Sequence, residues 1–196
     1  MPEMPAVART VVTSPPYRLF ARRVLLPWVL GDEKPAGEGL EIGAGSGVMS
    51  AQLLAAFPPL RMVVTDYDPQ MVRAARRSLR SFGNRADVQR ADASDLPFAD
   101  GRFDLVLSAA MLHHVPVWQD AVAQAVRVLR PGGRLIGYDP LQGALSWLVH
   151  VTERHTTKML QPGQLEAQLD RLAVTNVRIN PALRGNLIRF SATKTT

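Results

Sequence analysis

The sequence predicts a doubly wound α/β fold: a mainly parallel, seven-stranded sheet with helices on both faces and a C-terminal antiparallel hairpin. Three observations carry this reading. An apolar run at Leu40 leads into the glycine turn Gly43-Ala44-Gly45-Ser46-Gly47 and then into a helix-like stretch, which is how a nucleotide-binding βαβ unit opens. Strand-like and helix-like segments then alternate along the chain, the pattern of a parallel sheet with crossover helices. Finally, two β-like runs, residues 173–180 and 186–193, flank a Pro181-to-Gly185 connection, as in a closing hairpin.

The elements follow in order. Residues 1–14 read as flexible or extended, because Pro2, Pro5, Pro15 and Pro16 oppose a helix there. Residues 17–30 turn helical, with Leu19, Phe20, Val24, Leu25, Trp28 and Val29 at three- and four-residue spacings and Pro27 placed to kink or end the helix. The first strand and helix stop at Pro58-Pro59, and residues 60–65 form a buried strand ending in Asp66-Tyr67-Asp68-Pro69. Pro69 suits the first turn of the next helix, which runs through Met71, Val72, Ala75 and Leu79. Residues 86–90 are a short third strand. Residues 102–108 are a fourth, nearly continuous in apolar side chains as a central parallel strand should be. Val117, Ala121, Val122, Ala125, Val126 and Leu129 mark a helix ended by Pro131-Gly132-Gly133. A fifth strand at 134–138, a helix at 141–156 and a shorter helix at 164–172 precede the hairpin, which should add one antiparallel edge strand.

A chain of 196 residues is the size of one domain with a substantial core. We divide residues 1–196 into a flexible stretch (1–14), an N-terminal helix (15–30), a ligand-binding core (38–140) and C-terminal helices with the hairpin (141–196). The absence of cysteine excludes disulfides and thiolate metal sites. The scattered histidines suggest no metal constellation. The longest apolar run, residues 24–30, contains Pro27 and falls far short of the ~20 residues a membrane span needs. With no apolar signal core in the first ten residues, a cytoplasmic location is expected. The net charge of +6 admits a nucleic-acid surface. The arginines are spread out, however, and Arg73, Arg76, Arg77 and Arg80 look like the solvated face of a helix, so no nucleic acid is expected.

In such a sheet the ligand lies across the carboxyl ends of the strands, so the residues after each strand are the ones to read. The first turn is E-x-G-x-G-x-G, with Glu41 two residues before Gly43 and with Val48 where a dinucleotide fingerprint wants Gly or Ala. After the second strand, Asp66 stands 21 residues beyond Gly45, where a carboxylate can hold both hydroxyls of a ribose. Tyr67 beside it can lay its ring along a base. Asp92 and Ala93 open the loop after the third strand, placing a carboxylate to accept from an adenine amino group, and Leu96-Pro97-Phe98 can wall in the base. Taken singly, Asp66 and Asp92 also suit plain strand-end turns. Taken together at consecutive strand ends, they describe a site.

The stretches L-E-I-G-A-G-S-G, V-V-T-D-Y-D-P-Q-M-V, A-D-A-S-D-L-P-F-A-D-G-R-F-D-L-V-L-S, M-L-H-H-V and V-L-R-P-G-G-R-L resemble, in order and over about residues 38–140, the class I S-adenosylmethionine (AdoMet)-dependent methyltransferases. The nearest resemblance is to the small-molecule group that includes the ubiquinone and menaquinone biosynthesis enzymes. This implies a Rossmann-like fold, AdoMet as cofactor with S-adenosylhomocysteine as product, and a small-molecule methyl acceptor. It also implies roles. Glu41, Gly43, Ala44 and Gly45 would line the methionine end, Asp66 would take the ribose, Tyr67, Asp92 and Ala93 would meet the adenine, and Ser108 would lie beside the sulfonium. One departure is Asp68, which stands where the group often has Ser. Asp66 is preferred as the ribose ligand because it precedes the proline by three residues, as in the family.

Methyl transfer from a sulfonium is an in-line displacement, so holding nucleophile and methyl in line does much of the work. A general base is needed only where the nucleophile must lose a proton. His113 and His114, just past the fourth strand, are the candidates, with a packing or helix-start role as the alternative. Tyr138 and Asp139, after the fifth strand, either bind substrate or cap a turn. The tetrapeptide Ser14-Pro15-Pro16-Tyr17 matches one found in amino-group methylating enzymes. There it follows the fourth strand, whereas here it precedes the whole sheet and reads as coincidence. The alternatives to small-molecule methyl transfer are a nucleic-acid methyltransferase and a non-catalytic AdoMet-binding module. Residues 15–30, amphipathic and outside the sheet, are expected to cover the pocket as a lid, with Tyr17 and Phe20 shaping the acceptor site.

Overall fold

The computed structural model describes residues 14–142 and 159–196. Apart from Ser14, the stretch expected to be flexible lies outside the described residues, as does nearly all of the helix expected at 141–156.

The N-terminal helical segment has three contiguous parts: α1 (Pro15–Phe20), a π-helical turn (Ala21–Leu25) and α2 (Leu26–Leu30). Ser14 caps its start by accepting from the Tyr17 N–H. In the π turn the Leu26 N–H reaches back five residues to the Ala21 carbonyl. That widening directly precedes Pro27, which has no N–H to give and whose ring crowds the turn before it. Proline is thus absorbed as a wider turn, and Gly31, at φ 57°, ends the helix.

The sheet has seven strands in the order β3-β2-β1-β4-β5-β7-β6. They are β1 (Gly37–Ile42), β2 (Leu60–Asp66), β3 (Ala86–Arg90), β4 (Phe103–Ala109), β5 (Leu129–Pro140), β6 (Val174–Ala182) and β7 (Leu187–Lys194). The first five are mutually parallel. β7 runs antiparallel to both neighbours, β5 and β6. The antiparallel strand is therefore internal, and the expected antiparallel edge strand is corrected: the edge is β6. Burial explains the exchange, since β7 buries Ile188, Phe190 and Ala192 while β6 leaves most of its side chains in or near solvent. β6 also carries a register irregularity between Thr175 and Arg178, with Asn176 at φ 52°, a device that disrupts pairing along an open edge.

The helices after α2 are α3 (Val48–Ala56), α4 (Pro69–Leu79), α5 (Trp118–Val128) and α6 (Gln164–Leu169). One sheet face is packed by α5 and α6 around the fully buried Trp118 and Phe103. The other is packed by α3, α4 and the N-terminal segment. α3 is apolar almost all round because it lies between the sheet and that segment. α4 is amphipathic and capped by Asp68, whose side chain accepts from the Gln70 N–H at 2.7 Å. Gly137 in β5 is sterically required, because a Cβ there would lie 2.2 Å from the Ser108 carbonyl and 2.5 Å from the Phe190 ring.

Candidate active site

The parallel register brings the carboxyl ends of β2, β1, β4 and β5 side by side, with Glu41 opposite Val64 and Leu107, and Ile42 opposite Ser108. The turn after β1 needs glycine. Gly43, Gly45 and Gly47 have φ of 60°, 55° and 73°, a region that side chains disfavour. A Cβ on Gly43 would also meet the Met111 side chain at 2.7 Å. The turn is fastened to the next strand. The Ala44 N–H donates to the Thr65 carbonyl at 2.9 Å, and the Gly45 N–H donates to Asp66 Oδ2 at 2.7 Å. The other oxygen of Asp66 accepts from the Asp68 N–H at 2.8 Å. Burial pushes the Asp66 carboxyl up, against the lowering effect of these N–H groups. Asp66 therefore faces the glycine turn, while the Asp68 carboxylate turns away to cap α4.

Glu41 is buried. Its Oε2 accepts from the Ser50 N–H at 3.0 Å and from the Ser50 hydroxyl, tying the strand to the first turn of α3. Burial pushes this carboxyl up to about 7, and Ser50 only partly opposes it. Sequence reasoning missed Ser50. The signal was available, since a hydroxyl nine residues past an acid, in the first turn of the following helix, can reach back to it.

Beside the glycine turn lie the carboxyl ends of β2 and β3. The Ala91 N–H donates to the Asp66 carbonyl at 3.2 Å. The Arg90 guanidinium lies over the Tyr67 ring at 5.0 Å and donates to the Tyr67 carbonyl at 3.0 Å. Asp92 turns its own loop by accepting from the Ser94 N–H at 2.9 Å, and Ala93, Leu96 and Phe98 are buried beneath it.

At the tip of β4, Ser108 Oγ is buried and has no hydrogen-bond partner among the described residues. Two residues on, Ala110 is at φ 52° while its N–H donates to the Tyr138 carbonyl at 2.8 Å. A left-handed non-glycine residue and an unpaired buried hydroxyl at one strand end are features that gather at ligand sites. The short turn Leu112–His114 follows. Asp139, fully buried at the end of β5, accepts from the Leu112 N–H at 2.8 Å and the His113 N–H at 3.3 Å, and sits 2.8 Å from His113 Nδ1. It caps the turn, as one of the two sequence readings had it, and also orients the imidazole. The His114 ring lies 3.9 Å from that of His113.

The N-terminal segment reaches the same end of the sheet. Tyr17 and Tyr138 share a side-chain hydrogen bond close to Glu41, and burial pushes both phenols up. Trp28 packs on Tyr138 at 5.9 Å. Phe20, by contrast, is 47% exposed. A cavity of about 790 Å³ lies elsewhere, between this segment and the far end of α3, lined by Leu26, Leu30, Lys34, Ala55 and Phe57.

These residues fit an AdoMet-like ligand on three counts: a glycine turn whose backbone is open to close approach, a carboxylate bridging two adjacent strand ends, and an unsatisfied hydroxyl at the third. Comparison with known proteins agrees. The family described as "Methyltransferase domain" matches residues 40–137. The chain is 33% identical over 122 residues to the demethylmenaquinone methyltransferase of Thermus thermophilus, covering 61% of this chain and 56% of that one. It is 35% identical over 112 residues to the 27-O-demethylrifamycin SV methyltransferase of Amycolatopsis mediterranei, covering 57% and 39%. The chain spans about half the length of the curated relatives it matches. Among solved structures, a Haemonchus contortus phosphoethanolamine N-methyltransferase in complex with S-adenosylhomocysteine superposes with a TM-score of 0.75 at 16% identity, over 88% of this chain and 52% of that one. At that identity the likeness speaks for the fold.

Proposed function

The chain belongs to the methyltransferase-domain family, and from that premise we propose that it binds AdoMet across the ends of β1, β2 and β4 and transfers its methyl group to a small-molecule acceptor. When bound, AdoMet supplies an electrophilic methyl on a sulfonium, open to in-line displacement. The chain's residues position the reactants and exclude water. The carrying observation is the hydrogen bond from Gly45 to Asp66, which locks the glycine turn against the acid best placed to take a ribose. Gly43, Ala44 and Gly45 offer backbone to the methionine end, with Glu41 fixing the turn from below. Tyr67, Asp92 and Ala93 border the adenine side, and Ser108 borders the methyl.

His113 is the residue we assign to proton abstraction where the acceptor requires it. With Nδ1 turned toward the Asp139 carboxylate, the neutral ring carries its proton there and leaves Nε2 as the acceptor. Asp139 acts through His113 and is a positioning residue.

The test is calorimetric titration with AdoMet, S-adenosylhomocysteine and NAD, followed by transfer of labelled methyl to a panel of small phenols, quinols and amines. AdoMet and its product are expected to bind while NAD does not. Binding of NAD alone would overturn the reading.

A further inference from the structure

The outward side of the N-terminal segment is unlike the rest of the surface. Five large hydrophobic residues are exposed among the described residues, and three of them, Leu19 (50%), Phe20 (47%) and Val24 (49%), fall within this single stretch. Scattered exposed hydrophobics are ordinary, but a cluster is not. Arg18, Arg22 and Arg23 interleave with them, all exposed, and no acidic residue occurs from Ser14 to Gly31. The nearest carboxylates in sequence, Asp32 and Glu33, lie past the helix end, and Glu33 is tied to Arg134.

The basic character continues onto a neighbouring helix. Arg18 donates to the Ser78 hydroxyl at 2.9 Å, joining the segment to α4. α4 likewise lacks any acid, and its Arg73 and Arg77 are exposed. The inner side of the segment, Ala21, Leu25, Leu26 and Val29, is packed into the core. The outer apolar residues therefore do not serve the fold.

We propose that this face, Leu19, Phe20 and Val24 framed by Arg18, Arg22 and Arg23, docks the protein onto an anionic lipid bilayer surface. A helix lying in the interface inserts apolar side chains at the headgroup level and sets cations against acidic headgroups. Nucleic acid, the other polyanion, would use the arginines but offers little to a leucine and a valine, so the apolar cluster favours the bilayer. Among the described residues no helix is long and apolar enough to cross a membrane, so the contact is peripheral. It rests on surface chemistry alone and is measured without cofactor, independently of the methyl-transfer reading.

The full chain is sedimented with vesicles of phosphatidylcholine alone and of phosphatidylcholine with phosphatidylglycerol, at low and high salt. Binding is expected only to the anionic vesicles and is expected to weaken with salt, as charges more than about 10 Å apart are screened near 0.1 M. Each arginine at such a surface contributes about a fivefold factor. R22E/R23E is therefore expected to weaken binding more than twentyfold, and L19S/F20S to weaken it also, with melting temperatures held. No anionic-vesicle binding, or binding indifferent to both double variants, overturns the proposal. So does tighter binding of a single-stranded RNA that depends on Arg22 and Arg23 but not on Leu19 and Phe20.

Discussion

His113 Nδ1 lies 2.8 Å from Asp139 Oδ1, and both side chains are almost fully buried. The pair is carried by the turn after β4 and the end of β5, elements joined by the parallel β4–β5 ladder, so its geometry is inherited from the sheet. Asp139 also holds two N–H groups of the same turn. One carboxylate thus fixes both the loop and the ring it carries.

Replacing His113 by Gln is expected to lower kcat by about 10²–10⁴ for an acceptor that must lose a proton, with AdoMet affinity little changed. Asp139→Asn is expected to lower kcat as well and to cost about 1–3 kcal/mol of stability, since buried N–H groups lose their charged acceptor. His114→Gln serves as the comparison. Normal rates for the His113 variant between pH 6 and 9 would leave only the packing role.

Asp66 and Asp68 separate cleanly by experiment. A ligand at about 100 times its dissociation constant adds about 2.7 kcal/mol to the wild-type protein. Asp66→Ala is expected to abolish most of this increment. Asp68→Ala, which removes a helix cap, is expected to cost about 1 kcal/mol of baseline stability and to keep the ligand response. Thermal melts with and without S-adenosylhomocysteine decide it, and a lost response in Asp68→Ala alone would reverse the assignment.

Much of this site was legible in the chain because its parts are local. A glycine turn needs its backbone angles wherever it occurs, and acids at strand ends follow from counting strands. Asp66 was preferred over Asp68 because it precedes Pro69 by three residues, and the structure turns Asp66 toward the glycine turn while Asp68 caps α4. What stayed hidden depended on partners far away in sequence. Asp139 meets His113 across 26 residues, and Tyr17 meets Tyr138 across the whole core. The position of β7 was hidden for the same reason. Hairpin periodicity gives two strands but not which one faces the sheet, and that is decided by how much apolar surface each can bury.

Glu41 gives the protein a signed pH dependence. Its carboxyl stands at about 7 when folded against an ordinary value of 4.5, so above pH 4.5 the unfolded chain ionises while the folded one retains its proton. The unfolded state then binds fewer protons, and stability falls as pH rises from about 4.5 to about 7, by about 3 kcal/mol in all, then levels off. The burial-raised Asp66 carboxyl acts in the same direction. Glu41→Gln, still able to accept from Ser50, is expected to flatten the Glu41 part. The measurement is the difference in unfolding free energy between wild type and variant across pH 4 to 8. A difference that does not change across that window refutes the buried, neutral Glu41.

The N-terminal segment is proposed to act as a lid through Tyr17 rather than Phe20. Tyr17 is the side chain of α1 that turns inward, bonded to Tyr138 near Glu41, whereas Phe20 faces out. Below Tyr17 the segment is anchored independently. Trp28 packs on Tyr138, the Trp28 carbonyl accepts from Arg189 at 2.6 Å, and Leu25, Leu26 and Val29 are buried. Removing the Tyr17 ring should therefore free α1 without unfolding α2. Tyr17→Ala is expected to raise amide hydrogen exchange across residues 17–25 while leaving β5 protected. It is also expected to weaken AdoMet binding about tenfold, because the lid's contribution to excluding water is lost. Tyr17→Phe keeps the packing and loses only the hydroxyl contact, worth about 1 kcal/mol, so its effect should be smaller. If Tyr17→Ala loosens α1 as measured by exchange yet binds AdoMet and transfers methyl as the wild type does, α1 is not a lid and serves only to cover the sheet.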